Sequence, residues 1–140
     1  MNDYQRCWWE QARSDHAVLV LLRRRNAASC HQLHYLQMTT EKLSKAYFWR
    51  SGDPPKKSHI GFATFMRRLQ QVSAPQRQQI ADIFGFSRFA GFQSWSYNAM
   101  PLVYGLERLA PALAGDGPNP EYPWPQDAPQ HVPAGCFGLI

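Results

Sequence analysis

His31–Arg50, HQLHYLQMTTEKLSKAYFWR, is the stretch that decides the fold. It runs for 20 residues without Gly or Pro. Leu33, Leu36, Leu43 and Tyr47 recur at helical spacings, so it reads as one long helix with a buried apolar face. Its length is about 30 Å, the width of a small domain. The other face carries Gln32, Gln37, Glu41, Lys42 and Lys45. Glu41 and Lys45 form an i,i+4 pair in the favourable order, worth about 0.3–0.5 kcal/mol.

Upstream, Asn2 or Asp3 can cap a first helix that runs to about Arg24. Tyr4, Trp8, Ala12, Leu19 and Leu22 give it one apolar stripe, which Trp9 widens or turns toward a partner. Asp15 sits inside that apolar half and is expected to pair across the bundle with His34, Lys42 or Lys45. Arg23, Arg24 and Arg25 suit the negative end of the helix dipole. Asn26 and Ser29 supply a short turn.

Downstream, Ser51-Gly-Asp-Pro-Pro stops the long helix. Ser58 then caps a third helix over about 59–71, with Phe62, Phe65, Met66 and Leu69 inward. Ser73-Ala-Pro opens a fourth helix with Ile80, Ile83 and Phe84 on its apolar face and Gly85 at its end. Phe86–Gln93 reads as aromatic and irregular. A fifth helical stretch follows from about Ser94 to Leu113, kinked or restarted at Pro101, with Leu102, Leu106, Leu109 and Leu113 on one stripe. From Ala114 the composition changes, and six of the eleven prolines fall between 118 and 133. This tail is expected to be extended, either free or strapped across the bundle through Tyr122, Trp124 and Phe137. No strand-like alternation appears. The fold class is therefore all-α: an antiparallel bundle of four to five helices over 1–114, with a Pro-rich tail over 115–140.

The chain has 140 residues and a net charge of +5, unevenly spread. Residues 1–80 hold 13 Lys+Arg and 5 Asp+Glu, giving +8, whereas residues 81–140 hold 2 and 5, giving −3. A basic body fits nucleic acid or another acidic partner, or serves solubility alone. Three cysteines, Cys7, Cys30 and Cys136, make no disulfide framework and point to reduced thiols. The opening residues lack the apolar core of a signal peptide, and the longest apolar run, Ala17–Leu22, is too short to span a bilayer. A soluble, cytoplasmic protein with no membrane association is the expectation.

At Glu41-Lys42-Leu43-Ser44-Lys45-Ala46, followed by Gly52, Pro54-Pro55 and Ser58-His59, the chain resembles the HEPN superfamily. Members of that family often carry an E-K-x-x-K-A helix, a Gly/Pro loop, then a His opening the next helix. The likeness covers residues 4–113 in helix order and about 33–69 in motif. It implies a four- or five-helix bundle that commonly dimerises. It implies work on RNA or nucleotides in toxin–antitoxin or antiviral defence. Many members are catalytically silent partners of a nucleotidyltransferase or another effector. Catalytic members carry Arg, four to six residues, then His near the start of a late helix. Here the late helices hold Arg88 and Arg108, and no His lies between His59 and His131. A match in spacing, Arg25 to His31, falls at the first helix-to-helix turn.

The remaining chemistry is sparse. Cys30 and His34 share a helix face at i,i+4, but a tetrahedral metal site needs more donors, so a buried Cys and a hydrogen-bonded His are the expectation. His59 with Lys56 and Lys57 at a helix start is the best small-anion candidate, against a reading in which His59 only caps and packs. Arg50, Lys56, Lys57, Arg67 and Arg68, beside Tyr47, Phe48 and Trp49, form a candidate phosphate or nucleic-acid surface. The aromatics serve equally as core or interface. The expected function is a non-catalytic HEPN-like module, homodimeric, binding RNA, nucleotide or a protein partner such as an effector or a nucleotidyltransferase antitoxin. No metal or cofactor is expected. The alternatives are a metal-independent ribonuclease using Arg25, His31, His34 or His59, and an assembly subunit that docks a larger protein through its aromatic surface.

Overall fold

The computed structural model describes residues 1–49, 61–115, 117–121, 131 and 133. Among these residues the chain is an all-α bundle: α1 (Asp3–Arg24), α2 (Ser29–Phe48), α3 (Gly61–Gln70), α4 (Ala74–Ile83), α5 (Phe89–Arg108) and α6 (Pro111–Ala114). No helix among them is long and apolar enough to cross a membrane.

The caps follow local chemistry. Asn2 Oδ1 accepts from the Gln5 N–H at 2.8 Å, and Gln5 Oε1 accepts from the Asn2 N–H at 3.1 Å, closing a capping box on α1. At the other end Asn26 takes φ 49°. Its N–H reaches the Arg23 carbonyl, and that of Ala27 reaches Leu22 at 3.0 Å, a Schellman turn. Gly85 does the same for α4 at φ 75°, with the Phe86 N–H on the Ala81 carbonyl at 2.8 Å. The expected Ser58 cap lies outside the described residues.

α2 is the central element, touching α1, α3 and α5. The apolar cluster lies on one side of it. Ala63, Phe65, Met66 and Leu69 of α3 meet Phe92, Met100 and Val103 of α5, and Leu43, Tyr47 and Phe48 of α2 pack against them. Tyr47 meets Phe65 edge-on at 5.0 Å. Phe92 is fully buried under Phe84, Phe86, Phe89 and Trp95. Gly61 is required where α3 approaches α2, because a Cβ there would lie 2.6 Å from Ser44 Oγ.

α1 stands outside that cluster; it buries Ala12 and Leu19, and specific polar and ring contacts tie it to α2. Asn2 Nδ2 donates to the Trp49 carbonyl at 2.8 Å, and Gln5 Nε2 to the Ala46 carbonyl at 3.0 Å. Tyr4 stacks on Trp49 at 4.8 Å, and Lys45 lies over the Trp8 ring at 4.9 Å. Asp15, 6% exposed, forms an ion pair with Lys42 and accepts from Gln11 Nε2 at 3.1 Å. Of the three partners open to Asp15, the fold selects Lys42.

Several stripes differ from the periodic reading. Gln37 and Glu41, read as a solvated face, are buried, and Leu36 is exposed. A central helix is covered on more than one side, so its polar stripe becomes an interior polar layer. Gln37 Nε2 donates to Glu41 Oε2 at 3.1 Å, and Lys45 pairs with Glu41 there. α4 buries Ala81 rather than Ile83, which is 68% exposed. α5 begins at Phe89, inside the segment read as irregular, because Phe92 supplies its deepest contact. Pro101 lies inside α5 without ending it. Its missing N–H would have met the carbonyl of Tyr97 on the exposed face, where water can serve that carbonyl. The break comes at Pro111, which holds Ala110 extended at ψ 129°. The buried stripe of α5 is Phe92, Ser96, Met100, Val103 and Glu107, whereas Leu102 is 76% exposed.

The described start of the tail, 117–121, brings Glu121 to His34 of α2. Asn119 is buried and turns the chain by accepting from the Glu121 N–H at 3.0 Å. Glu121 Oε1 stands 3.2 Å from His34 Nδ1, close enough to pair with a charged imidazole but out of line for a hydrogen bond. Tyr122, Trp124 and Phe137 lie outside the described residues.

If the Asp15–Lys42 pair anchors α1, Lys42→Ala should lower stability by about 3 kcal/mol, since it strands a buried carboxylate. The double change Asp15→Leu/Lys42→Met should recover most of the loss. Urea midpoints of the three chains check this, and equal midpoints for the two variants would refute it.

Candidate anion-binding cleft

α3 and α5 pack through their apolar stripes, and the polar residues flanking those stripes meet at one edge. On α3 these are Thr64 and Arg67, beside Ala63. On α5 they are Tyr104, Glu107 and Arg108. With Leu113 of α6 they line a cavity of about 370 Å³. Arg67 and Arg108 are both exposed and bring two guanidinium groups to its walls.

Two contacts fix the inner geometry. Glu107 is 5% exposed, and its Oε1 accepts from the Ala63 N–H at 2.8 Å. A carboxylate in the first turn of α3 satisfies a free N–H and meets the positive end of the dipole. Arg67 Nη2 donates to the Tyr104 hydroxyl at 2.8 Å, and its guanidinium carbon lies 5.6 Å from the Tyr104 ring centre. The Tyr104 O–H proton and the other guanidinium N–H groups remain able to donate into the cleft. Against the one lining carboxylate, Glu107, whose Oε1 is held by the Ala63 N–H, two planar cations and two hydroxyls, on Tyr104 and Thr64, offer the donors that a phosphate needs.

Of the residues named from sequence, Arg67 lies in this cleft. Arg68 is exposed on α3 but does not line it. Arg50, Lys56, Lys57 and His59 lie outside the described residues. Arg25 is the exposed C-cap of α1, and His31 is exposed in the first turn of α2. His34 is half-buried beside Glu121, with its ring edge against Tyr35 at 5.2 Å. Cys30 is 1% exposed, and no group of three or more His, Cys, Asp or Glu among the described residues is placed to hold a metal ion. Sequence reasoning missed Thr64, Tyr104, Glu107 and Arg108. The available signal was the i,i+4 spacing of Tyr104 and Arg108, which the leucines around them overshadow.

The charge layout extends beyond the cleft. All ten described arginines are exposed. Of the seven described carboxylates, Asp15, Glu41 and Glu107 are buried, leaving Asp3, Glu10, Asp82 and Glu121 outside. Lys42 and Lys45 go inside with Asp15 and Glu41, so the described surface stays basic and its exposed cations are arginines. No family model, no curated protein and no solved structure matches the chain.

Removing the Tyr104 hydroxyl frees Arg67 to swing. Tyr104→Phe should weaken binding of inorganic pyrophosphate several-fold without moving the thermal midpoint by more than about 2 °C. Titration calorimetry with thermal melts checks both halves.

Proposed function

We propose that the chain is a non-catalytic HEPN-like module that binds a phosphate-bearing ligand, RNA or nucleotide, in a defence or toxin–antitoxin setting. The observation that carries the reading is the Arg67–Tyr104–Arg108 cleft, set in a surface whose described cations are arginines. The HEPN part rests on the sequence resemblance at Glu41-Lys42-Leu43-Ser44-Lys45-Ala46. Glu41 and Lys45 pair with each other, and Lys42 pairs with Asp15. In this reading the motif holds α2 to α1 through Lys42 and Lys45 and does no chemistry. The lean away from catalysis rests on the late helices, where no histidine accompanies Arg88 or Arg108.

The test is binding of labelled single-stranded RNA and of a nucleoside triphosphate at low salt. Arg67→Ala/Arg108→Ala should weaken both by about tenfold or more, with the helical circular dichroism unchanged. Unchanged affinity would remove the cleft from the account. The same RNA should stay intact with the wild-type chain in EDTA. Cleavage abolished by His31→Ala or His34→Ala would establish the ribonuclease alternative instead.

A second observation favours an interface. From Phe89 to Leu106 α5 holds no charged residue, and Trp95 and Leu102 on one flank are 44% and 76% exposed. On so basic a chain, an uncharged flank is where two copies can approach without repulsion. We propose this flank as the contact of a homodimer. Light scattering should give a dimer for the wild-type chain and a monomer for Leu102→Glu. A wild-type monomer across the concentration range would dismiss it.

A further inference from the structure

We infer that a second groove, between α1 and α2, takes the base and phosphate of one unpaired nucleotide. The inference rests on the phosphate-binding reading above and concerns a different place in the fold. Trp9, Arg13 and His16 stand at i, i+4 and i+7, along one flank of α1. Thr39 and Leu43 face them from α2 across a floor made by Ala12, and the groove encloses about 430 Å³. α2 is the only substantial helix partner of α1 among the described residues, so no described helix covers this flank of α1.

The contrast between two neighbouring tryptophans points to a ligand. Trp8 is occupied, with Trp49 at 6.4 Å and Lys45 over its ring. Trp9 is 40% exposed and stacks on no ring among the described residues. Arg13 and His16 are likewise exposed, and neither pairs with a carboxylate among the described residues. The indole offers a flat apolar platform, which suits a base of any identity. One and two turns further along, a guanidinium and an imidazole offer donors to a phosphate. Thr39 Oγ1 already donates to the Tyr35 carbonyl at 2.7 Å, so it faces the groove as an acceptor for an N–H of the base. A duplex keeps its bases stacked inside, so the platform selects an unpaired one. The volume suits a single small-molecule-sized unit. That unit can be a free nucleotide or one position of a single strand.

The experiment uses the full chain and three probes: labelled oligoadenylate RNA, free AMP as competitor, and inorganic polyphosphate as a base-free anion. Trp9→Ala should weaken oligoadenylate binding about tenfold and leave polyphosphate binding unchanged. Trp9→Phe should keep most of the affinity, which separates stacking from misfolding. Arg13→Ala/His16→Ala should weaken both probes. Competition by AMP identifies a free nucleotide as the ligand, and its absence beside strand binding identifies a strand. Wild-type oligoadenylate affinity in Trp9→Ala overturns the groove, while Arg67→Ala/Arg108→Ala still reports on the cleft. A homodimer that dissociates in Trp9→Ala with RNA affinity intact gives the groove to a second copy and also overturns it. If neither oligoadenylate nor polyphosphate binds the wild-type chain, the phosphate reading fails, and this inference with it.

Discussion

The ion pair between Asp15 of α1 and Lys42 of α2 is the contact on which the arrangement depends. α1 contributes nothing to the apolar cluster formed by α2, α3 and α5. Two buried charges gain little net stability together, because desolvation offsets most of their attraction. Their effect is on register: any slip of α1 along α2 would leave Asp15 buried and alone. Asn2 and Gln5, bonded to the carbonyls of Trp49 and Ala46, fix the same register at the far end. The groove that holds Trp9, Arg13 and His16 exists only in that register.

The interior polar layer also shapes the exterior. Asp15, Glu41 and Glu107 are drawn inside by Lys42, by Lys45 with Gln37, and by the first turn of α3. Asp15 and Glu41 each take a lysine inside with them, so their burial leaves the surface charge nearly unchanged, whereas Glu107, held by a backbone N–H, takes no cation with it. Packing thus adds to the basic face through Glu107 alone. Glu107 links the two roles directly. Its bond to the Ala63 N–H sets α3 against α5, and the same wall carries Arg67 and Arg108 around one cleft.

Sequence reading succeeded where a residue type has a single local use. Asn2, Asn26 and Gly85 mark helix ends through chemistry confined to a few neighbouring residues, and each sits where that chemistry puts it. Asp15 was legible as a buried carboxylate in need of a cation, since an acid among leucines has few other options. The reading weakened where tertiary context decides. Gln37 and Glu41 are polar by composition and buried by position, which periodicity on a single face does not anticipate. Leu102 is apolar and exposed for the converse reason: the bundle covers α5 along Phe92, Met100 and Val103. The cleft was half visible. Arg67 was named for its charge, but Tyr104 and Arg108 lie 37 and 41 positions away from it, and only the packing of α3 on α5 brings them together.

Function in this chain turns on whether the exposed arginines read phosphates. The most direct measurement is the affinity of the full chain for single-stranded RNA across a salt series. With Arg67, Arg108 and Arg13 each on a phosphate, log affinity should fall linearly against log salt with a slope of roughly −2, about −0.7 per contact. An affinity that does not change with salt, or no binding at low salt, would contradict the account.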